Sequence, residues 1–478
     1  MSDFSMKTLA ATRTDGLGGR LLAMVNAKCL ADKMGCRFGF TWNRRSIDDM
    51  QFHIVDSVDK VFAADFIERH WLGEKIDTAR FGVLDGTRFT RSSLAADARQ
   101  NGLQGWICDD FRILRSFRQD WFRAMLPANR SARSRHRTFG TFGFSESVRA
   151  TIAAAGKPRF SRPMAALHLR SGDIIHGNYR SELEFCDKVI PAPLAKAIVS
   201  NLASKGLATL VIGQDRTTLD YLKSATGAFL ADDFGASQFE DETLKAFFEM
   251  ALMARCRQIH AGSSVFATIS SVMGGIRVIR PKALFGNRGT AEVILDELKA
   301  RQSDYHPLEA AFGYQSAFVL TEHRTSPAQA REILEKAAAL DPQNPAYALK
   351  MAAGYFRERN YQGGEAVLKA FMLKEVDARA ENPMRILRVL TRPSARGHIM
   401  AGDFELYFAA AKAGYPYAAA CSAQILHTAL GRTEAALTMA TLSLKAEPAN
   451  RLFREIELAI RASATASDSS SSRQLAGG

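Results

Sequence analysis

Met6-Lys7-Thr8-Leu9-Ala10-Ala11-Thr12 is followed at once by Asp15-Gly16-Leu17-Gly18-Gly19-Arg20. The first run is short, apolar and strand-like. The second is a glycine-rich turn. Beyond it Leu21, Leu22, Val25, Cys29, Leu30 and Met34 recur at helical spacing. Gly35-Cys36 closes that helix, and Arg37-Phe38-Gly39-Phe40-Thr41-Trp42 reads as a second strand. Strand, glycine turn, helix, strand is a βαβ unit, and βαβ units build parallel sheets.

A second region of the same kind opens at Ser145-Glu146-Ser147-Val148, a helix start with a serine cap. That helix ends near Gly156, and Pro163 precedes the strand Met164-Ala165-Ala166-Leu167-His168-Leu169. A helix is expected over 192–204. Ala208-Thr209-Leu210-Val211-Ile212-Gly213 has the unbroken apolar character of a buried parallel strand. A helix over Glu242–Arg255 leads to the short strand Gln258-Ile259-His260-Ala261, and Gly275–Arg280 is read as one more strand. Past residue 305 strand signals give way to Ala-rich helical periodicity. There Asp341-Pro342-Gln343-Asn344-Pro345 and Glu447-Pro448-Ala449-Asn450 lie about three periods of ~34 residues apart, a spacing like that of tetratricopeptide repeats. An unrelated helical extension is the competing reading, because the pattern is irregular around Pro383 and Pro393. The expected class is therefore α/β followed by an all-α region. The expected domains are 1–144 and 145–304, both Rossmann-like, then a helical domain over 305–462. A serine-rich tail over 463–478 is expected to be disordered.

Composition excludes several classes. The chain has 478 residues, 47% of them hydrophobic and 24% charged. That is enough apolar content for packed cores and too little bias for a disordered or collagen-like chain. No run of about 18 uncharged apolar residues suggests a membrane span, and the N-terminus lacks the pattern of a secretory signal. The six cysteines form no C-x-x-C pair and have no histidine at zinc spacing, so reduced thiols and a cytoplasmic setting are expected. A formal net charge of +13 favours anionic partners without choosing among nucleotides, phosphates, lipid headgroups and nucleic acid.

Three short segments carry chemistry. His168-Leu169-Arg170-Ser171-Gly172-Asp173 stands at the C-terminal end of a strand, where open α/β sheets bind ligands. Arg170 offers a fork of donors suited to a phosphate, and Asp173 can hold that fork. A plain ion pair closing the strand–loop junction explains the same residues equally well. Gly262-Ser263-Ser264 precedes a helix near Val265, as an anion-binding helix start or as an ordinary serine cap. Gly16-Leu17-Gly18-Gly19-Arg20 is a third glycine turn. It has neither the G-x-G-x-x-G spacing nor a P-loop lysine.

In this order the three segments resemble the fucosyltransferase superfamily, which includes bacterial α-1,2- and α-1,6-fucosyltransferases and protein O-fucosyltransferases. The resemblance covers roughly residues 5–300. It implies a GT-B fold, two Rossmann-like domains facing a cleft, with GDP-fucose as donor substrate and no separate cofactor. It places Arg170 on the diphosphate, His168 beside the nucleotide, and Gly262, Ser263 and Ser264 on phosphate oxygens, with Asp173 in the same loop. It assigns Glu249 to guanine and places Gly18, Gly19 and Arg20 on the donor side. It places Gln214 and Asp215 in a turn where relatives carry a Ser- or Asp-containing one. It suggests inversion at the sugar carbon. The family's H-x-R-R form has a second arginine where this chain has Ser171, which leaves donor identity open.

The chain contains no Asp-x-Asp, so the reading expects no metal clamp, and Arg170 with helix N-terminal amides would stabilise the leaving diphosphate instead. Asp15, Asp109 and Asp110 are the candidates for a base acting on the acceptor hydroxyl, with Asp15 carried forward as catalytic. His176 and Tyr179 are either acceptor-side residues or loop filler. Arg112, Arg115, Arg118, Arg123, Arg130, Arg133, Arg135 and Arg137 form a basic stretch, within which Leu114, Phe117, Trp121 and Met125 fall at helical spacing. That stretch reads as a solvated face, or as contact with an anionic acceptor or the inner face of a membrane carrying a lipid-linked glycan. No nucleic-acid recognition module is present. Expected partners are a nucleotide sugar, a glycan or protein acceptor, and a protein docking on the helical repeats. The rival readings are a transferase using another nucleotide sugar and a non-catalytic scaffold with a degenerate core.

Overall fold

The computed structural model describes residues 4–45, 55–84, 86–118, 128–177, 179–378, 387–394 and 397–475. It divides into two compact units. The first is Met1–Asp173 with Ala195–Leu284, and the second is Ile174–Leu194 with Phe285–Gly478.

The first unit opens with the βαβ element: β1 (Thr8–Ala11), α1 (Leu17–Met34) and β2 (Arg37–Phe40). Gly35 ends α1 in the left-handed conformation, φ 67°, which glycine adopts without a Cβ penalty. Helix α1 is buried along nearly its whole length rather than along one stripe, and Gly18, Gly19, Ala23, Ala27 and Ala31 let neighbours approach it closely. Short helices α2 (Val58–Val61) and α3 (Ala64–His70) follow, then β3 (Phe81–Val83), β4 (Phe89–Thr90), α4 (Arg91–Asn101), β5 (Gly105–Ile107) and β6 (Phe117–Arg118). Strands β4 and β6 pair with each other. The main sheet has order β2-β1-β5-β3 and is parallel throughout. Arg112–Phe117 does not continue a helix into Trp121. Leu114 lies in a single 3₁₀ turn and Phe117 in β6, because Phe117 finds an aromatic strand partner in Phe89, ring centres 6.0 Å apart. Trp121, Arg123 and Met125 lie outside the described residues.

The second sheet is reached through α5 (Ala128–Phe139) and α6 (Glu146–Gly156), the latter capped by Ser145. Its strands are β7 (Met164–His168), β8 (Ala208–Ile212), β9 (Phe229–Leu230), β10 (Ile259–Ala261) and β11 (Val278–Ile279). Between them lie α7 (Gly172–Ile175), α8 (Ala192–Ser204), α9 (Arg216–Thr226), α10 (Glu242–Ala254) and α11 (Val265–Gly274). The order is β11-β10-β7-β8-β9, all parallel. Every residue of β7 and β8 is buried, as expected of strands covered on both faces. The expected strand over Gly275–Arg280 is cut to Val278–Ile279, because Gly275 is spent on the left-handed cap of α11.

Helix α12 (Lys282–Arg301) is kinked at Gly286, φ 70°, and leads into the helical unit. There α13 (Pro307–Thr321), α14 (Pro327–Leu340), α15 (Pro345–Arg357) and α16 (Tyr361–Ala378) pack each on the next. A two-residue hairpin pair, β12 (Pro393–Ser394) with β13 (Gly397–His398), interrupts the helices, so strands do not vanish after residue 305. Then α17 (Phe404–Lys412), α18 (Pro416–Gln424), α19 (Thr433–Ala446) and α20 (Arg451–Leu475) stack in sequence. Asn344 caps α15 by accepting from the Ala346 N–H, and Asn450 caps α20 through the Leu452 and Phe453 N–H groups. Helix α20 spans Arg451–Leu475. Pro383 lies outside the described residues.

The expected succession of two parallel α/β sheets and a helical region is borne out. The compact units are drawn differently from the expected domains. Both sheets share one unit, and Ile174–Leu194, which follows Asp173 directly, packs with the helices. Arg180 pairs with buried Asp341 at 3.0 Å, Arg392 with Glu182 at 2.9 Å, and the Ala192 N–H donates to buried Glu309 at 3.0 Å. His176 and Tyr179 belong to this segment. The His176 ring lies 4.9 Å from that of His306, and Tyr179 packs on Phe185. All six cysteines are free thiols. No helix of the described residues is long and apolar enough to cross a membrane.

Candidate active site

Strand order fixes where a ligand can sit. The chain runs outward from β7 through β8 to β9, then returns to the other side of β7 as β10 and β11. The crevice at the carboxyl ends of β7 and β10, where the order reverses, is the position that open α/β sheets use for ligands. Register places the motifs there. Ala261 is opposite His168, and His168 is opposite Ile212. The three strands therefore end level. Leu169–Asp173, Gly262–Ser264 and Gly213–Asp215 leave from one edge.

At that edge Arg170 and Asp173 form an ion pair, Nη2 to Oδ2 at 3.0 Å and Nε to Oδ1 at 3.4 Å. Asp173 is buried and Arg170 half-buried. Asp173 thus holds one side of the guanidinium fork, and Nη1 remains a donor on the other. The ion-pair reading and the phosphate reading of this motif describe the same geometry. His168 is buried, and its Nδ1 has no hydrogen-bond partner among the described residues. Burial, and after it the Arg170 charge, pull its pKa down to about 3, so the ring is neutral near pH 7. Ser171 is buried with an unpartnered hydroxyl among the described residues.

Ser264 is the N-cap of α11 and accepts from the Ala267 N–H at 3.3 Å. The ordinary cap reading is right for this serine. Ser263 differs, because its hydroxyl accepts from Arg280 Nη2 at 3.1 Å. Arg280, at the end of β11, was missed from sequence. A strand ending in arginine beside a glycine–serine turn was the available signal, but the register that joins them is not local. The first turn of α11 brings N–H groups without intrahelical partners to the same edge. Asp215 caps α9, accepting from the Thr217 N–H and the Thr218 hydroxyl, and Gln214 beside it is exposed.

The glycine turn after β1 meets this edge from the first sheet. A Cβ on Gly18 would lie 3.1 Å from Phe266 Cα, so the first turns of α1 and α11 are in backbone contact. The Phe266 ring lies 5.3 Å from the His168 ring. A Cβ on Gly19 would strike the Asp15 carboxylate. Asp15 Oδ2 accepts from Arg13 Nε at 2.8 Å, and its Oδ1 has no partner among the described residues. Asp109 is fully engaged, taking the Thr12 N–H and hydroxyl at 2.7 Å each, and Asp110 caps the Arg112 N–H. Asp110 Oδ2 also accepts no bond among the described residues, so of the three candidate bases Asp15 is distinguished only by having its unbonded oxygen buried.

Arg20 and Glu249 were also assigned to the donor. Arg20 is buried and donates to the carbonyls of Asp15, Asn43 and Thr14 at 2.6, 2.6 and 2.9 Å. Burial lowers its pKa to about 10. It shapes the glycine turn from beneath rather than facing a ligand. Glu249 lies two turns into α10, about 10 Å along the axis from Glu242. It is half-buried and makes no hydrogen bond or ion pair among the described residues. Burial raises its pKa to about 7.

A parallel sheet with a switch-point crevice, an arginine fork and a helix N-terminus at its mouth is an arrangement whose donors suit an anion. No protein-family model and no curated protein matches the chain. The chain is similar to solved structures of fucosyltransferases, the superfamily that the three motifs resemble. NodZ α-1,6-fucosyltransferase from Bradyrhizobium, soaked with GDP-fucose, is 13% identical with a TM-score of 0.33, over 56% of this chain and 92% of that one. A mutant of Arabidopsis thaliana FUT1 in complex with GDP is 14% identical with a TM-score of 0.38, over 59% and 71%. POFUT1 in complex with GDP is 10% identical with a TM-score of 0.32, over 58% and 99%. The sheet order and the edge geometry stand on this chain's own strands.

Proposed function

We propose that the chain is a glycosyltransferase that takes a sugar from a nucleoside diphosphate and hands it to a hydroxyl. The donor expected from the motifs is GDP-fucose. The observation that carries the reading is the level ending of β7 and β10, which sets the Arg170–Asp173 pair and the Ser263–Ser264 helix start on opposite sides of one crevice. A departing diphosphate gains negative charge as its bond to the anomeric carbon breaks. Fixed donors stabilise that charge most effectively when oriented beforehand. Asp173 orients Arg170, and the first turn of α11 supplies N–H groups and the positive end of its dipole. The acceptor oxygen forms the new bond to the anomeric carbon while its proton passes to a carboxylate, for which Asp15 is the candidate carried forward. Attack from the face opposite the leaving group inverts that carbon. Arg170 and the helix amides carry the charge stabilisation here, without a metal clamp.

The test is calorimetric titration with GDP, UDP, ADP and CMP, with no metal added, on the wild type and Arg170→Ala. GDP-selective binding that the variant loses supports the donor site. The buried, unpartnered Ser171 favours one second reading, a transferase using another nucleotide sugar, and UDP or ADP selectivity would select it. A folded protein that bound no nucleotide would leave the scaffold reading.

The acceptor is a glycan or a protein, and the helical unit presents it or recruits a partner. Any membrane contact is peripheral, at the inner face.

A further inference from the structure

Away from the crevice, the first unit has a groove of about 600 Å³ lined by His136, Arg137, Phe139, Gly140, Thr141, Phe142, Phe144, Arg149, Ile152 and Met273. Its volume falls within the ~300–1,000 Å³ typical of small-molecule sites. Three aromatic rings of the core line it, only 5–8% exposed. Phe142 packs on Phe139 and Phe144 with ring centres 5.8 and 5.9 Å apart. Half-buried Ile152 and Met273 add aliphatic wall. Its charged lining is cationic, and no carboxylate contributes.

The cations are not committed to the core. Arg137 is exposed and makes no ion pair among the described residues. Among the described residues Arg149 pairs only with exposed Glu146, and such surface pairs contribute little and exchange readily. His136 uses Nδ1 on the Val272 carbonyl at 2.9 Å, which leaves Nε2 as its second polar atom. Arg133 stands one turn earlier on α5. An apolar trough with positive charge at its rim complements one chemistry: an alkyl chain ending in an anionic head.

We propose that this groove binds a single-chain amphiphile with a phosphate head, the chain lying on Phe139, Phe142, Phe144, Ile152 and Met273 and the phosphate meeting Arg137 and Arg149. The site is separate from the crevice and does not depend on the glycosyl-transfer reading. It gives the expected membrane contact a specific seat, at the end of α5 rather than along the whole arginine run.

The experiment is calorimetric titration of the full chain with decyl phosphate below its critical micelle concentration, against inorganic phosphate and decanol. Decyl phosphate should bind at least tenfold tighter than either. Arg137 is exposed, so Arg137→Glu should leave the fold intact and weaken decyl phosphate at least tenfold. Met273→Glu should do the same, with a thermal melt to confirm folding. Arg170→Ala should leave decyl phosphate binding unchanged. Binding no tighter than inorganic phosphate overturns the proposal. Equal binding by wild type and Arg137→Glu also overturns it, and loss on Arg170→Ala would move the ligand to the crevice.

Discussion

Gly18 and Phe266 touch through their backbones: a methyl group on Gly18 would lie 3.1 Å from Phe266 Cα and 3.2 Å from its nitrogen. The contact joins the first turn of α1 to the first turn of α11. Gly18 is therefore required by close approach and not by its φ, which is helical. Gly18→Ala should force the two turns apart by a few tenths of an ångström. Overpacking of this kind costs about 1–3 kcal/mol. The melting temperature should fall by several degrees, and nucleotide affinity should fall with it because the α11 amides move. Unchanged melting and unchanged affinity would show that the contact is slack.

The Arg170–Asp173 pair predicts a graded series. Arg170→Lys keeps the charge but loses the fork, so affinity for the nucleoside diphosphate should drop about tenfold, the loss of a charge-assisted hydrogen bond of about 1.4 kcal/mol. Asp173→Asn should weaken it less, since Arg170 keeps its charge and loses only its orientation. Titration of both variants with GDP checks the order. An Asp173→Asn effect larger than that of Arg170→Ala would reverse the roles assigned to the two residues.

Arg20 separates structure from ligand contact. Its three carbonyl partners cannot be satisfied by a lysine. Arg20→Lys should destabilise the protein by about 2–4 kcal/mol through unpaired buried groups. Protein that stays folded, well below its melting temperature, should bind nucleotide within about twofold of wild type. A specific loss of affinity without loss of stability would return Arg20 to the donor side.

The parallel sheets were legible because βαβ units write themselves locally: an apolar run, a glycine turn, a helical period, another run. Helix 192–204 and the Ser145 cap were legible for the same reason. The meeting of His168, Gly262 and Gly18 was not. It depends on strand order and register, which no local pattern carries. The carbonyl bonds of Arg20 were not legible because an arginine after a glycine turn looks the same whether its fork points at phosphate or at three carbonyls. Arg280 was missed because its partner Ser263 lies on the neighbouring strand's turn. The segment after Asp173 was placed with the second sheet because sequence adjacency outweighed Asp341, Glu309 and Arg392, the distant residues that hold it.

Buried histidines set a pH dependence. His168 and His260 are both held neutral by burial, with pKa values near 3 and 4, while unfolded histidine titrates near 6.5. The unfolded chain therefore binds more protons below pH 6.5. The stability due to these groups is present above that pH and is lost as pH falls toward their folded values. Each contributes at most about 1.4 kcal/mol per pH unit in this window. His168→Gln should flatten the melting temperature between pH 6.5 and 4.5 relative to wild type. A profile as steep as wild type would mean that His168 charges in the folded state.

Truncation tests how the helical unit is built. Cutting after Asp304 removes α13 to α20 and leaves Ile174–Leu194 without Glu309, Asp341 and Arg392. It also strips Phe312 from the cluster it forms with Ile174, Ile175 and Val189. Apolar side chains that were fully buried become exposed, at about 1.5–3 kcal/mol each. The segment begins one residue after Asp173, so its disorder reaches the residue that orients Arg170. The truncated chain should be cleaved by trypsin at Arg180 or Lys188 far faster than the full chain. Its affinity for the nucleoside diphosphate should fall although every residue of the crevice remains. Asp341→Asn in the full chain should reproduce a milder form of both effects, since it removes the charge that Arg180 meets and keeps the helices. If the truncated chain resisted trypsin and bound nucleotide like the full chain, the helices would be an appendage to a self-sufficient core.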